Sequence, residues 1–231
     1  MIESLAQIEV SGADARTFLQ GQLSCDVDAL QANSTTIASI SSPQGRVQAV
    51  LFVTPIADSF VVSTIGPMLE SAVQRLRKYV LRSKVILRAT PAAQSTADAS
   101  AYLLAQIRAG VPHVFAQTTE TFVAQSLNLD LLGGISFSKG CYTGQEIIAR
   151  MHFRGTVKRR MFRFFASTIP PLPGTRIVSN EEHAGDVVYA AACDGGCELL
   201  ATLHLTHTER DLQIANSNNA ALKRLELPYE I

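Results

Sequence analysis

The sequence predicts an α+β protein in two parts, residues 1–155 and 156–231. Two observations carry this expectation. Through residue 155, stretches with helical spacing are interspersed with β-branched runs bounded by turn residues. Beyond Gly155 only short strand candidates remain, divided by Pro, Gly and Asn, as in a small antiparallel barrel. With 231 residues and a 47% apolar share, the chain can bury a substantial core.

In chain order, residues 11–21 read as the first helix, with Ser11 as N-cap, Asp14 at the third helical position and Gly21 as the stop. Residues 35–40 and 46–53 read as strands joined through Ser42-Pro43-Gln44-Gly45, whose composition suits a tight turn. Residues 60–65 form a third strand. Gly66-Pro67 then opens a helix to about Leu81, with Leu69, Val73, Leu76 and Val80 on one stripe. A strand follows at 85–87. Residues 91–100 are rich in Ala, Ser and Thr without periodicity and read as a connector; 101–109 is helical and ends at Gly110. In the second part, strands are expected at 160–166, 176–178, 186–192, 198–205 and 222–227.

The most specific chemistry lies in Lys139-Gly140-Cys141-Tyr142-Thr143-Gly144-Gln145-Glu146. Thr143 and Glu146 have capping-box spacing, which places Cys141 just ahead of a helix N-terminus with Lys139 nearby. Both features favour a thiolate, so Cys141 is the expected reactive group. Gly140 and Gly144 allow close backbone approach to a ligand. Lys139 suits an anionic ligand group, and Gln145 the edge of a heterocycle. His152 lies across the helix at its far end, which makes a local Cys–His dyad geometrically poor. Cys193-Asp194-Gly195-Gly196-Cys197, followed by His204 and His207, has the wrong spacing for a Cys2His2 zinc site and reads as a hairpin turn, so no metal site is expected.

The octet resembles the signature of the YgfZ family, folate-binding proteins related to the T-protein aminomethyltransferase of glycine cleavage and linked to iron–sulfur enzyme maintenance. Gly12-Ala13-Asp14-Ala15 with Phe18-Leu19-Gln20-Gly21-Gln22-Leu23 resembles the family's first helix and turn. Ser42-Pro43-Gln44-Gly45-Arg46-Val47 resembles its early hairpin, and Phe122-Val123-Ala124-Gln125 with Asn128-Leu129 the approach to the octet. The resemblance implies a T-protein/YgfZ-like folate-binding region over 1–155, shortened near 88–101, and a barrel-like domain over 156–231. It implies tetrahydrofolate or a derivative as cofactor, held by Lys139, Tyr142, Gln145, Glu146, Arg150, Gln125 and Arg46 beside Cys141. The partners it implies are iron–sulfur enzymes or assembly proteins, including enzymes that modify tRNA.

Two departures from the relatives matter. Aligning their Gly-Gly-Val/Ile-x-Asp-Asp turn puts Ala49 and Val50 where the acids belong, so glycine-cleavage activity is not expected. Arg108 stands where relatives often place a pterin-binding glutamate. A folate-dependent transferase acting on another substrate is the alternative enzyme reading.

Net charge is zero, yet 13 of the 20 Lys and Arg residues lie in two windows. One holds Arg75, Arg77, Lys78, Arg82, Lys84 and Arg88; the other holds Lys139, Arg150, Arg154, Lys158, Arg159, Arg160 and Arg163. Brought together, they would make a basic face for a polyanion, either a folate polyglutamate tail or RNA; an RNA-binding module is the third functional reading. No run is apolar enough to span a bilayer, and the N-terminus lacks the pattern of a signal peptide. The scattered cysteines at 25, 141, 193 and 197 do not form a secreted disulfide framework, so the expected location is the cytoplasm.

Overall fold

Residues 5–92, 96–217 and 220–231 are described by the computed structural model. Strands β1 (Ala6–Ser11), β2 (Thr36–Ser41), β3 (Val47–Ile56), β4 (Ser59–Thr64) and β5 (Ile86–Thr90) form an antiparallel sheet in the order β2-β3-β4-β1-β5. Helices α1 (Ala15–Gln22) and α2 (Leu69–Val80) cover one of its faces. Phe18 and Leu19 of α1, with Val73 and Leu76 of α2, pack there against Ile8, Leu51 and Val62. The expected α2 stripe is thus the buried one, with Leu69 and Val80 packed at its edge.

β1 has no counterpart among the expected elements, although its AQIEVS alternation is the period-2 signal of a strand. The first helix starts at Ala15 rather than just after Ser11, and the cause is tertiary. Gly12 has φ +110 and lies so close to the Lys84 carbonyl that a Cβ would collide with it. Asp14 turns its carboxylate to accept from the Lys84 N–H at 2.7 Å. The segment ahead of α1 is therefore tied to the entry of β5 and cannot wind as helix.

Helix α3 (Thr96–Arg108) begins earlier than expected and takes in part of the presumed connector; of that connector, residues 93–95 lie outside the described residues. α3 packs on the second sheet, built from β6 (Arg159–Ala166), β7 (Arg176–Ser179), β8 (Glu182–Cys193), β9 (Gly196–His204), β10 (Gln213–Ile214) and β11 (Lys223–Leu225). Its order is β10-β7-β8-β9-β6-β11, all antiparallel, curled into half a barrel. The β8–β9 hairpin turns on Asp194-Gly195, with Cys193 opposite Gly196 and Ala192 opposite Cys197, as the turn chemistry requires.

The curled sheet encloses Phe162, Phe164, Val187 and Leu199 on one side. Its other side, with Met161, Val188, Tyr189 and Leu200, shares a core with Val47 and Val50 of β3 and Ile107 of α3. β3 is consequently buried on both faces, which explains its near-continuous apolar run. Helix α4 (Gln145–Arg154) contributes Ile148 to this shared core. Among the described residues no helix is long and apolar enough to cross a membrane.

Candidate functional site

The octet is the loop that leads into α4, and it is held from inside. Lys139 is 8% exposed, and its ammonium donates to the carbonyls of Gln20 at 2.6 Å, Leu23 at 2.8 Å and Cys25 at 2.7 Å. These groups lie at and just past the end of α1, so Lys139 satisfies carbonyls that the helix leaves open. Burial lowers its pKa to about 8. Tyr142 also turns inward, with its ring 4.8 Å from the Lys139 ammonium and its pKa raised by burial to about 12.

Gln145 closes the loop on itself. Its Oε1 accepts from the Tyr142 N–H at 3.3 Å, and its Nε2 donates to the Lys139 carbonyl at 3.4 Å. Between these buried anchors Gly140 and Cys141 are exposed, and Cys141 is a free thiol.

The surroundings expected for Cys141 differ in two respects. The N-cap is Gly144, at φ +84, and it makes no side-chain capping bond; the Thr143/Glu146 box does not form. A Cβ at position 144 would press on the Ser42 carbonyl, so the β2–β3 turn dictates glycine as the cap. The Lys139 ammonium, in turn, is engaged at the end of α1 rather than turned out beside the thiol.

The remaining expected ligand residues are dispersed. Gln125 is buried and donates to the Ile148 carbonyl at 2.7 Å, which anchors α4. Glu146 and Arg150 are exposed on α4. Arg46 donates to the Thr121 carbonyl at 2.9 Å and lines a cavity of about 560 Å³ with Phe122, Met151, Lys158, Arg159 and His204. A second cavity, of about 640 Å³, lies along the octet's own flank. Cys25, Asp26, Leu30, Phe137, Ser138 and Phe153 are among its lining residues.

Sequence reasoning overlooked the aromatic group at the end of α4. His152 stacks on Phe137 with centroids 3.8 Å apart and planes 12° from parallel, and Phe153 stands edge-on to it at 4.7 Å. The available signal was His152-Phe153 between two arginines near a helix end, with Phe137 upstream.

Three arginines of the second basic window are neutralised by acids outside it in the sequence. Arg159 pairs with Asp186 at 2.9 Å, Arg160 with Asp130 at 2.6 Å and Arg163 with Glu198 at 2.6 Å. Arg150, Arg154 and Lys158 have no ion pair among the described residues. In the first window Arg75 lies over the Tyr79 ring at 3.9 Å and donates to Gln48 at 2.6 Å.

No family model matches the chain. An uncharacterized protein of Haemophilus influenzae is 30% identical, over 97% of this chain and 95% of its own length. The tRNA-modifying protein YgfZ of Vibrio vulnificus strain CMCP6 is 24% identical, over 100% of this chain and 92% of its own. The namesake of Enterobacter sp. strain 638 is also 24% identical at the same coverage. The chain belongs to the YgfZ family. Its alignment with the Vibrio YgfZ runs over 297 positions, more than the 231 residues present, so that relative carries segments this family member lacks. Among solved structures, glycine cleavage system aminomethyltransferase T from Bartonella henselae superposes with a TM-score of 0.69 at 15% identity, covering 98% of this chain and 84% of that one. The fold is therefore that of the T-protein.

The T-protein likeness sharpens the two departures. Val50 is 2% exposed in the shared core beside Ile107 and Tyr189, and Ala49 faces the α1/α2 side of its sheet. Arg108 is engaged with Glu198 through Nε at 3.0 Å and Nη2 at 2.8 Å. Neither position offers a carboxylate to a folate. The Arg46 cavity does fit one: Phe122, Val123 and Met151 suit the aromatic ring, and the cations suit the glutamate.

Proposed function

We propose that this protein binds a folate and supports iron–sulfur-dependent tRNA modification in the cytoplasm, presenting Cys141 to a partner protein or substrate. The observation that carries this reading is the construction of the octet. Its flanking residues are fixed by five hydrogen bonds, three donated by the Lys139 ammonium and two made by the Gln145 side chain as acceptor and donor, while the thiol is left exposed between them. A thiol needed only for packing would be buried, as Cys25 and Cys197 are. Arg46 and Lys158 would hold the glutamate carboxylates, with the folate ring system on Phe122, Val123 and Met151. The reduced folate would supply one-carbon or redox chemistry when bound. What the chain itself contributes is orientation and a held nucleophile.

The test has two arms. Tetrahydrofolate at about 100 times its Kd is expected to stabilise the protein by about 2.7 kcal/mol, read as a Tm rise of about 5–10 °C. Arg46→Ala should remove that rise. Cys141→Ala should retain both fold and Tm rise, yet fail to restore tRNA modification in a deletion strain. No Tm response to tetrahydrofolate would end the folate assignment, and full restoration by Cys141→Ala would end the thiol assignment.

A further inference from the structure

We propose that the cavity on the octet's flank seats one unpaired RNA nucleotide, with its base against Phe153 and its phosphates on Arg150 and Arg154. This deepens the tRNA-modification reading and rests on it. The last turns of α4 expose Arg150, His152, Phe153 and Arg154 together, and Phe153 is 66% exposed. A phenyl ring left in water at the mouth of a concave pocket is a stacking surface in search of a planar partner. The His152–Phe137 stack beneath it braces the ring edge-on and limits its collapse into the pocket.

Chemistry at the cavity wall discriminates between partners. Leu30, Ile135 and Phe137 form an apolar side, while Asp26, Ser136 and Ser138 bring acceptors and hydroxyls to the same space. Asp26 uses Oδ1 for Gln20 and the Asp28 N–H, and Oδ2 has no bond among the described residues. That oxygen can accept from an exocyclic amino group of a base. An apolar peptide would leave both the carboxylate and the two arginines unanswered, whereas a nucleotide satisfies all three: face, edge and phosphate.

Placement supports the link to the thiol. Ser138 lines the cavity, and Cys141 follows it by three residues, so their Cα atoms are at most about 11 Å apart. The folate cavity is a separate one: Met151 lines it, and the next two residues of α4 line the nucleotide pocket. The two ligands should therefore bind side by side without competing.

Fluorescence anisotropy with a labelled tRNA anticodon stem-loop tests the proposal. The stem-loop should bind at least about tenfold tighter than a fully paired duplex of equal length, because only an unpaired base can reach the ring. Phe153→Ala should weaken binding about tenfold or more with an unchanged salt slope, and Phe153→Tyr should restore it. Replacing Arg150 and Arg154 by Gln should reduce the salt slope by about 1.4, the value for two phosphates on a single strand. Equal binding by Phe153→Ala and wild type, equal binding of duplex and stem-loop, or displacement of the RNA by tetrahydrofolate would each overturn the assignment. A Tm rise with tetrahydrofolate that survives in Phe153→Ala keeps a failure here distinct from a failure of the folate reading.

Discussion

Lys139→Met is expected to lower Tm by about 6–12 °C, a loss of about 3 kcal/mol. Methionine preserves the length and apolar stem of lysine, so the change isolates the ammonium. Three carbonyls, of Gln20, Leu23 and Cys25, would lose their charged donor inside a nearly closed site. A hydrogen bond to a charged group contributes about 1.5–3 kcal/mol, but part of that sum already offsets the cost of burying the ammonium. The lowered pKa of Lys139 records that cost. A ligand-binding lysine would give the opposite pattern, with unchanged Tm and weakened tetrahydrofolate binding. Thermal unfolding of Lys139→Met beside Cys141→Ala separates the two roles, since the exposed thiol should leave Tm within about 1 °C.

The contrast within the octet shows which parts of the fold can be read from sequence. Local periodicity and turn composition were sufficient for the β2–β3 turn, the α2 stripe and the β8–β9 hairpin, because the forces that shape them act within a few residues. The octet's own spacing was legible too, but its meaning was not. Thr143 and Glu146 satisfy the capping pattern, yet the close approach of the Ser42 carbonyl, from a turn 102 residues earlier, selects Gly144 as the cap. Lys139 is the same case. Nothing near it in sequence reveals that the end of α1 needs a cation, so a residue expected to serve the site instead supports it. The second basic window misleads in part for a related reason: Asp186, Asp130 and Glu198, which pair with Arg159, Arg160 and Arg163, are distant in the chain and adjacent only in the fold.

Glu198→Ala should be a strongly damaging change in the second sheet, with a loss of about 3–4 kcal/mol. Glu198 sits on β9, 6% exposed, between two guanidiniums. Arg163 of β6 donates to one oxygen from Nε at 2.9 Å and Nη2 at 2.6 Å, while Arg108 at the end of α3 takes the other. Removing the carboxylate leaves the largely buried Arg163 without its partner, which is the costly half of the event; the half-exposed Arg108 can turn to water. The carboxylate thereby fastens the end of α3 to the sheet, in addition to the apolar contacts between them. Burial alone would raise the Glu198 pKa, but the two arginines more than reverse this and hold it below its ordinary value of 4.5. A folded-state pKa below the unfolded one means that the unfolded chain binds the proton first, so this stabilisation is complete above pH of about 4.5 and fades as pH falls through the folded-state value. Denaturant midpoints for wild type and Glu198→Gln should therefore run parallel at neutral pH and converge on acidification below about pH 4.5. A gap between the two that persists to pH 2 would show that the stabilisation does not come from the negative charge that the two arginines clasp.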